Sequence, residues 1–276
     1  MRSFIINMIL IFVTFFSALA LWTTAKLVKK PRRAMWKILH FWAGTLRRAV
    51  LLILNAKIEV RGKHHIKPGV PQLIVGKHQS ELDVILMVHE LDDFSAVVMA
   101  ELEKYPFFPT MLKALDLVLV KVDEGRQGRT QQTIDGGLRI KAQGRDMLIY
   151  PEGELMKLGA KERYRSGVGH LYANMDVEVV PVTFSVGTIW PRRDWTKHAN
   201  QRGIMEFMEP IQPGLPFDAF MELIEERLET KTMELIRESA EPEILAAAED
   251  RHARGVNNFD VVATRPDAAK TSQQST

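Results

Sequence analysis

Cysteine is absent from all 276 residues. That excludes disulfide frameworks, thiolate zinc sites, iron–sulfur clusters and cysteine nucleophiles. Acids are nearly missing from the first 77 residues, where Glu59 stands alone. Thirteen Lys and Arg residues crowd positions 26–77, giving that segment +12, while the chain from His78 onward carries −10. The overall net charge of +3 hides this gradient, and so basic an end suits an anionic partner. There is no internal repeat, and Gly125, Gly128, Gly136 and Gly137 form no phosphate-loop pattern. Hydrophobic residues still make up 46% of the chain, enough to bury a full core and to exclude disorder as the dominant state.

The N-terminus indicates what the basic end faces. Ser3 to Ala25 is a run of 23 residues without a charge, long enough to cross a bilayer core of about 30 Å. Ala18-Leu19-Ala20 resembles a signal-peptide cleavage site, but only Arg2 precedes the run. Lys26, Lys29, Lys30, Arg32 and Arg33 follow it, a placement that favours a retained anchor with the body on the cytoplasmic side. The stretch Ala34–Leu54 contains Lys37, Arg47 and Arg48 among apolar residues and Trp36 and Trp42. That mixture fits a helix lying in the headgroup region, the alternative being a core helix of the soluble body. Beside an apolar run, the basic segment favours anionic lipid over nucleic acid.

Beyond residue 55 the pattern predicts one α/β domain, a mixed and largely parallel sheet flanked by helices. Strands are expected at 57–61, 72–76, 95–100, 117–122, 146–150, 177–184 and 203–207, with helices at 83–91, 128–143, 166–174 and 216–238. The expected organisation is a membrane anchor with an interfacial helical segment over 1–55, a catalytic domain over 56–240 and a disordered extension over 241–276.

The chemistry concentrates where the second strand ends, in Gly76-Lys77-His78-Gln79-Ser80-Glu81-Leu82-Asp83. Loops at the carboxyl ends of strands are where open α/β sheets bind ligands. On one straight helix, positions five apart diverge by about 140°. For Asp83 to hold His78, the histidine must therefore stand in the turn before the helix and Asp83 in its first turns. An imidazole that gives one N–H to a carboxylate and takes a proton at its other nitrogen is a general-base unit. Ser80 could be a nucleophile, but its separation suits a helix N-cap better. His64-His65, His78, Asp83 and His89 have no clean metal-ligand spacing, because adjacent histidines on a strand face opposite ways. Trp190-Pro191-Arg192-Arg193-Asp194-Trp195 is either a headgroup reader or an ordered surface loop.

Three further segments follow in order: Tyr150-Pro151-Glu152-Gly153, Arg165-Ser166-Gly167 and Val180-Pro181-Val182. Together with His78 and Asp83 they resemble the glycerolipid acyltransferase family, specifically bacterial 1-acyl-sn-glycerol-3-phosphate acyltransferases, over about residues 57–240. The departures are Lys77 in place of the family's Asn, and Glu154-Leu155 in place of Thr-Arg; Leu155 leaves open an acyltransferase for a different lyso-lipid acceptor, and a non-catalytic, membrane-anchored lipid-binding protein is the remaining alternative.

The resemblance implies acyl transfer from acyl-CoA or an acyl carrier protein to the 2-hydroxyl of a lysophospholipid acceptor, lysophosphatidic acid, giving phosphatidic acid without an acyl-enzyme. It implies His78 as base and Asp83 as its partner, with no metal or further cofactor. Backbone N–H groups around Gly153 would receive the oxyanion. Glu152 would position acceptor or cationic side chains. Arg165 and Lys121 (or Arg126 in place of Lys121) would neutralise phosphate, with Lys77 able to reach it. The implied location is the bacterial inner membrane.

Overall fold

The computed structural model describes residues 1–105, 108–121 and 125–256, apart from the Arg126 side chain. Seven strands form one sheet: β1 (Lys57–Arg61), β2 (Leu73–Gly76), β3 (Ser95–Met99), β4 (Val118–Val120), β5 (Met147–Ile149), β6 (Val179–Phe184) and β7 (Arg202–Phe207). Their order is β1-β7-β6-β2-β5-β3-β4. All pairs are parallel except β6–β7, so β1 and β7 run against the other five. The expected mixed, largely parallel sheet is present. Every predicted strand is there, shortened at most by a few residues at its ends; Val122, the last residue of the expected fourth strand, lies outside the described residues.

Both faces of the sheet are covered, which is why β2 and β6 read as continuous apolar runs. The two-residue side-chain period assigns alternate residues to different layers. On one face Ile74, Leu148, Val180 and Val182 pack under α1 (Arg2–Leu27), α2 (Arg32–Ile53), α3 (Glu81–Glu90) and α4 (Phe108–Leu115). On the other, Leu73, Val75, Met147 and Val179 pack under α5 (Gly125–Ala142), α6 (Gly167–Met175) and α7 (Phe217–Ser239).

The apolar N-terminal run forms α1, at 26 residues the one described helix long and apolar enough to cross a membrane. It is docked on the body rather than standing free. Asn7 Nδ2 donates to the Trp195 carbonyl at 2.7 Å, and Ser3 Oγ exchanges bonds with the backbone of Lys197 at 3.0 and 3.1 Å. Its opposite face leaves Phe4, Ile11, Phe12, Phe15 and Phe16 exposed. The next helix, α2, departs from the expectation of a purely interfacial element. Met35, Trp36, Ala43, Leu46 and Val50 are buried in the core, and Trp36 packs on Phe94 with ring centroids 5.0 Å apart. Phe41 and Leu52 remain exposed, so one face serves the core and the other continues the apolar surface of α1.

Two further expectations are corrected. Residues 242–253, placed in a disordered extension, form α8 (Pro242–Ala253). Ala248 is buried against Leu158, Met233 and Ile236, and Arg251 bonds the Leu158 carbonyl at 2.6 Å. The rest of that extension, from residue 257, lies outside the described residues. His64 and His65 sit in a 3-10 turn after β1, not in a strand, with ring centroids 4.1 Å apart.

Candidate active site

The carboxyl ends of β2 and β5 lie side by side because the two strands are parallel neighbours, Val75 opposite Ile149. β2 leads into Lys77 and His78, and β5 leads into Tyr150-Pro151-Glu152-Gly153. Gly76 lets them meet. A Cβ there would stand 2.8 Å from the Tyr150 ring, which stacks on the His78 imidazole with centroids 4.2 Å apart and planes 17° off parallel. His78 stands in the turn before α3, and Asp83 lies in that helix's first turn. The His78 Nδ1 lies 3.2 Å from Asp83 Oδ2. The His78 side chain keeps 19% of its surface exposed, whereas Asp83 has none. With Nδ1–H given to the carboxylate, Nε2 is the nitrogen left to take a proton.

Asp83 is over-determined. The same Oδ2 accepts from the N–H groups of Gln79 at 2.7 Å and Ser80 at 2.8 Å, closing a capping box at the start of α3. Burial pushes its carboxyl up, against the lowering pull of His78 and of those two N–H groups. Ser80 is the N-cap, its Oγ accepting from Leu82 N at 3.0 Å and donating to the Trp190 carbonyl at 2.6 Å. Both functions leave it facing the protein, which disposes of the nucleophile reading. The Trp190 side chain is itself core, while Trp195, farther along that loop, is exposed beside α1.

The second motif forms a tight turn. Pro151 occupies the position that prefers proline, and the Gly153 N–H closes the turn on the Tyr150 carbonyl at 3.0 Å. Gly153 has φ +68°, a backbone conformation that favours glycine. Its N–H is therefore engaged and is not the oxyanion donor expected above. Arg165 packs over this turn, its N–H on the Pro151 carbonyl at 2.9 Å and its Nε on the Glu152 carbonyl at 3.2 Å. Lys121 follows β4 at the same edge of the sheet. Three strand spacings separate β4 from β2, about 14 Å, so Lys121 is not brought into the His78 cluster. The side chain of its alternative, Arg126, lies outside the described residues.

Lys77 overturns one expectation outright. It was assigned the reach of a phosphate, but its side chain has no exposed surface. Its Nζ lies 3.0 Å from Glu152 Oε1 and 2.5 Å from Glu229 Oε1. The other Glu152 oxygen accepts from the His78 backbone N–H at 3.0 Å. Burial alone would lower the Lys77 ammonium; the two carboxylates outweigh it and keep the group protonated. Burial pushes Glu152 up, with Lys77 and the His78 N–H opposing. Tyr164 completes the cluster, its hydroxyl donating to Glu229 at 3.1 Å. Glu229 was not among the expected residues. Its signal lay in the pattern of α7, where it precedes Thr232, Met233 and Ile236 by three, four and seven residues, all buried on one face. Among the described residues no group of His, Asp and Glu side chains could hold a metal ion.

Fold and site together define an α/β domain whose paired His78 and Asp83 stand at the carboxyl edge of parallel strands. Residues 57–185 match the model of the Acyltransferase family. It is 27% identical over 169 residues to the 1-acyl-sn-glycerol-3-phosphate acyltransferase of Pseudomonas aeruginosa, covering 61% of this chain and 65% of that one. It is 28% identical over 142 residues to the mouse 1-acyl-sn-glycerol-3-phosphate acyltransferase alpha, covering 49% of this chain and 50% of the relative. The chain thus spans just under two thirds of the first relative and half of the second. The crystal structure of the 1-acyl-sn-glycerophosphate acyltransferase PlsC from Thermotoga maritima shares the fold, with a TM-score of 0.66 at 19% identity over 85% of this chain and 98% of that one.

Proposed function

We propose that this protein transfers an acyl chain from an acyl thioester, acyl-CoA or acyl carrier protein, to the sn-2 hydroxyl of 1-acyl-glycerol-3-phosphate, forming phosphatidic acid at a membrane surface. The observation that carries the reading is the His78 Nδ1–Asp83 Oδ2 contact inside the segment that matches the Acyltransferase family model. His78 Nε2 takes the proton of the acceptor hydroxyl as its oxygen attacks the thioester carbonyl. Asp83 fixes the tautomer and stabilises the imidazolium. When the tetrahedral intermediate collapses, the C–S bond breaks, and the imidazolium returns its proton to the leaving thiolate. No covalent acyl-enzyme and no cofactor besides the thioester are required.

A two-tailed product does not diffuse through water, so the site must work at a lipid surface. The exposed phenylalanines of α1 and the exposed side of α2 supply an apolar face for that surface, and the Lys/Arg cluster after α1 suits anionic headgroups. This supports attachment to the inner face of a bacterial cytoplasmic membrane, with the catalytic body on the cytoplasmic side. A second acceptor is favoured by one pair of observations: Lys77 is buried, and Leu155 stands where the family has arginine. Two cations are thereby removed from the phosphate side, leaving Arg165 nearest to that task, and a lyso-lipid with a different headgroup fits the remaining charge.

The test is purified full-length protein in lipid vesicles, given several lyso-lipid acceptors and both thioester donors, with products identified by mass. Phosphatidic acid formed only when lysophosphatidic acid is the acceptor supports the first reading. A different product selects the second, and no acyl transfer to any acceptor refutes both.

A further inference from the structure

Behind His78 the charges form a continuous relay. The His78 N–H donates to Glu152 Oε2, Glu152 Oε1 meets Lys77 Nζ, Lys77 meets Glu229 Oε1, and Glu229 accepts from Tyr164. Lys77, Glu152 and Glu229 are all buried. Two carboxylates around one ammonium leave a net negative charge in a nearly dry site, costly unless geometry repays it. One carboxylate would satisfy the lysine, so the second needs an explanation. Glu229 comes from α7, about 150 residues further along the chain, and no other described contact links that helix to the residues next to the catalytic histidine as directly.

We infer that Lys77 and Glu229 are positioning residues, which act through Glu152 to fix the backbone at His78 and hold its imidazole onto Asp83. Resting on the reading of His78 as the base, this replaces the reach of Lys77 to phosphate with a role inside the protein. Glu152 has two separate tasks for its two oxygens, and Lys77 keeps it divided between them. Without the ammonium, Glu152 and Glu229 face each other as buried like charges. Glu152 then protonates or turns away, and the His78 N–H loses a charged acceptor. The imidazole is stacked on Tyr150 and reaches Asp83 across a single 3.2 Å contact. A shift of its backbone by a fraction of an ångström therefore reaches Nε2, and misplacement on that scale is costly in catalysis. Removing Glu229 as well relieves the repulsion, because a lone Glu152 in its neutral form still accepts from the His78 N–H.

Three variants of the full chain in vesicles test this: Lys77→Met, Glu229→Met and the double substitution. Each is assayed for acyl transfer to lysophosphatidic acid and, with no substrate, for the rate of His78 carbethoxylation by diethyl pyrocarbonate, followed by peptide mass spectrometry. Lys77→Met should lower kcat about 100-fold with the acceptor KM within about twofold, the pattern of a misplaced base. Glu229→Met should cost about fivefold, and the double variant should recover at least about tenfold over Lys77→Met, the non-additivity of a coupled pair. His78 should be carbethoxylated several-fold faster in Lys77→Met and return toward the wild-type rate in the double variant. A space-filling role gives additive losses and no recovery. If Lys77→Met does not fold, a folded double variant that is within tenfold of wild-type kcat supports the inference, and a folded but inactive one overturns it. Unchanged kcat and carbethoxylation in Lys77→Met overturn it, as does a change confined to KM. If wild-type protein acylates no acceptor, the proposed function fails, while the carbethoxylation series still decides the positioning role.

Discussion

Two cations are buried at opposite ends of the central strands, and they do different things. Arg145, just before β5, gives its guanidinium to the carbonyls of Asp93, Phe94 and Leu115 and pairs with the Asp93 carboxylate at 3.0 Å. Most of its partners are backbone carbonyls, from the turn before β3 and the end of α4, and it ties the amino-terminal edge of the sheet shut. Lys77, just after β2, meets only carboxylates, one of which bonds the His78 backbone. Desolvation opposes both cations, and both are repaid by hydrogen bonds. What separates them is the far end of the relay. A network that ends on carbonyls holds a fold, and one that ends beside the proposed base, a histidine with an exposed edge, is placed to tune a reaction as well.

The largest effect that sharpens the contrast is at the base. His78→Ala should fold and bind membranes as the wild type does, yet lose about 10²–10⁴-fold in acyl transfer; mass analysis of products checks it. Arg145→Met should behave in the reverse way. Stability should fall by about 3–5 kcal/mol as buried partners are orphaned, while the kcat of the folded fraction stays within about twofold; denaturant melts and initial rates measure the two. An Arg145 variant that stays stable but loses activity would erase the distinction.

Next comes Asp146, beside Arg145, whose carboxyl accepts from the Gln72 N–H at 2.9 Å and which burial pushes up to about 6. A carboxyl raised in the fold stabilises when protonated, so stability falls as pH rises from about 4 to about 6. Asp146→Asn keeps the acceptor without the charge. It should raise stability at pH 8 by about 1–2 kcal/mol and lose the gain below pH 4, as thermal melts at the two pH values will show. The smallest effect is Ser80→Ala. Loss of the cap should cost about 1 kcal/mol and leave acyl transfer largely intact; complete inactivation of a folded variant would return Ser80 to the chemistry.

Most of the sheet was legible because buried parallel strands are short apolar runs bounded by turn residues, and the His78–Asp83 geometry followed from helix periodicity. What stayed hidden depended on partners distant in sequence. The strand directions of β1 and β7 leave no local trace. Helix α4 is only eight residues long and has Pro109 near its start. Helix α8 is rich in Ala and Glu, with Ala248 its one fully buried residue, so its stability comes from the surface formed by Leu158, Met233 and Ile236. Lys77 and Glu229 were misjudged or missed for the same reason. A charged side chain reads as solvated until its counter-charge, far along the chain, is seen beside it.

The docking of α1 has a consequence for substrate choice. Its first turns grip the Trp195–Lys197 segment, and a few residues earlier the same loop accepts the Ser80 hydroxyl in the turn after His78. Were α1 to rest in lipid, as proposed, that short connection would work as a depth gauge, setting how far His78 sits from the plane of the headgroups. Acceptors would then be sorted by the level at which their free hydroxyl floats as well as by their shape or charge.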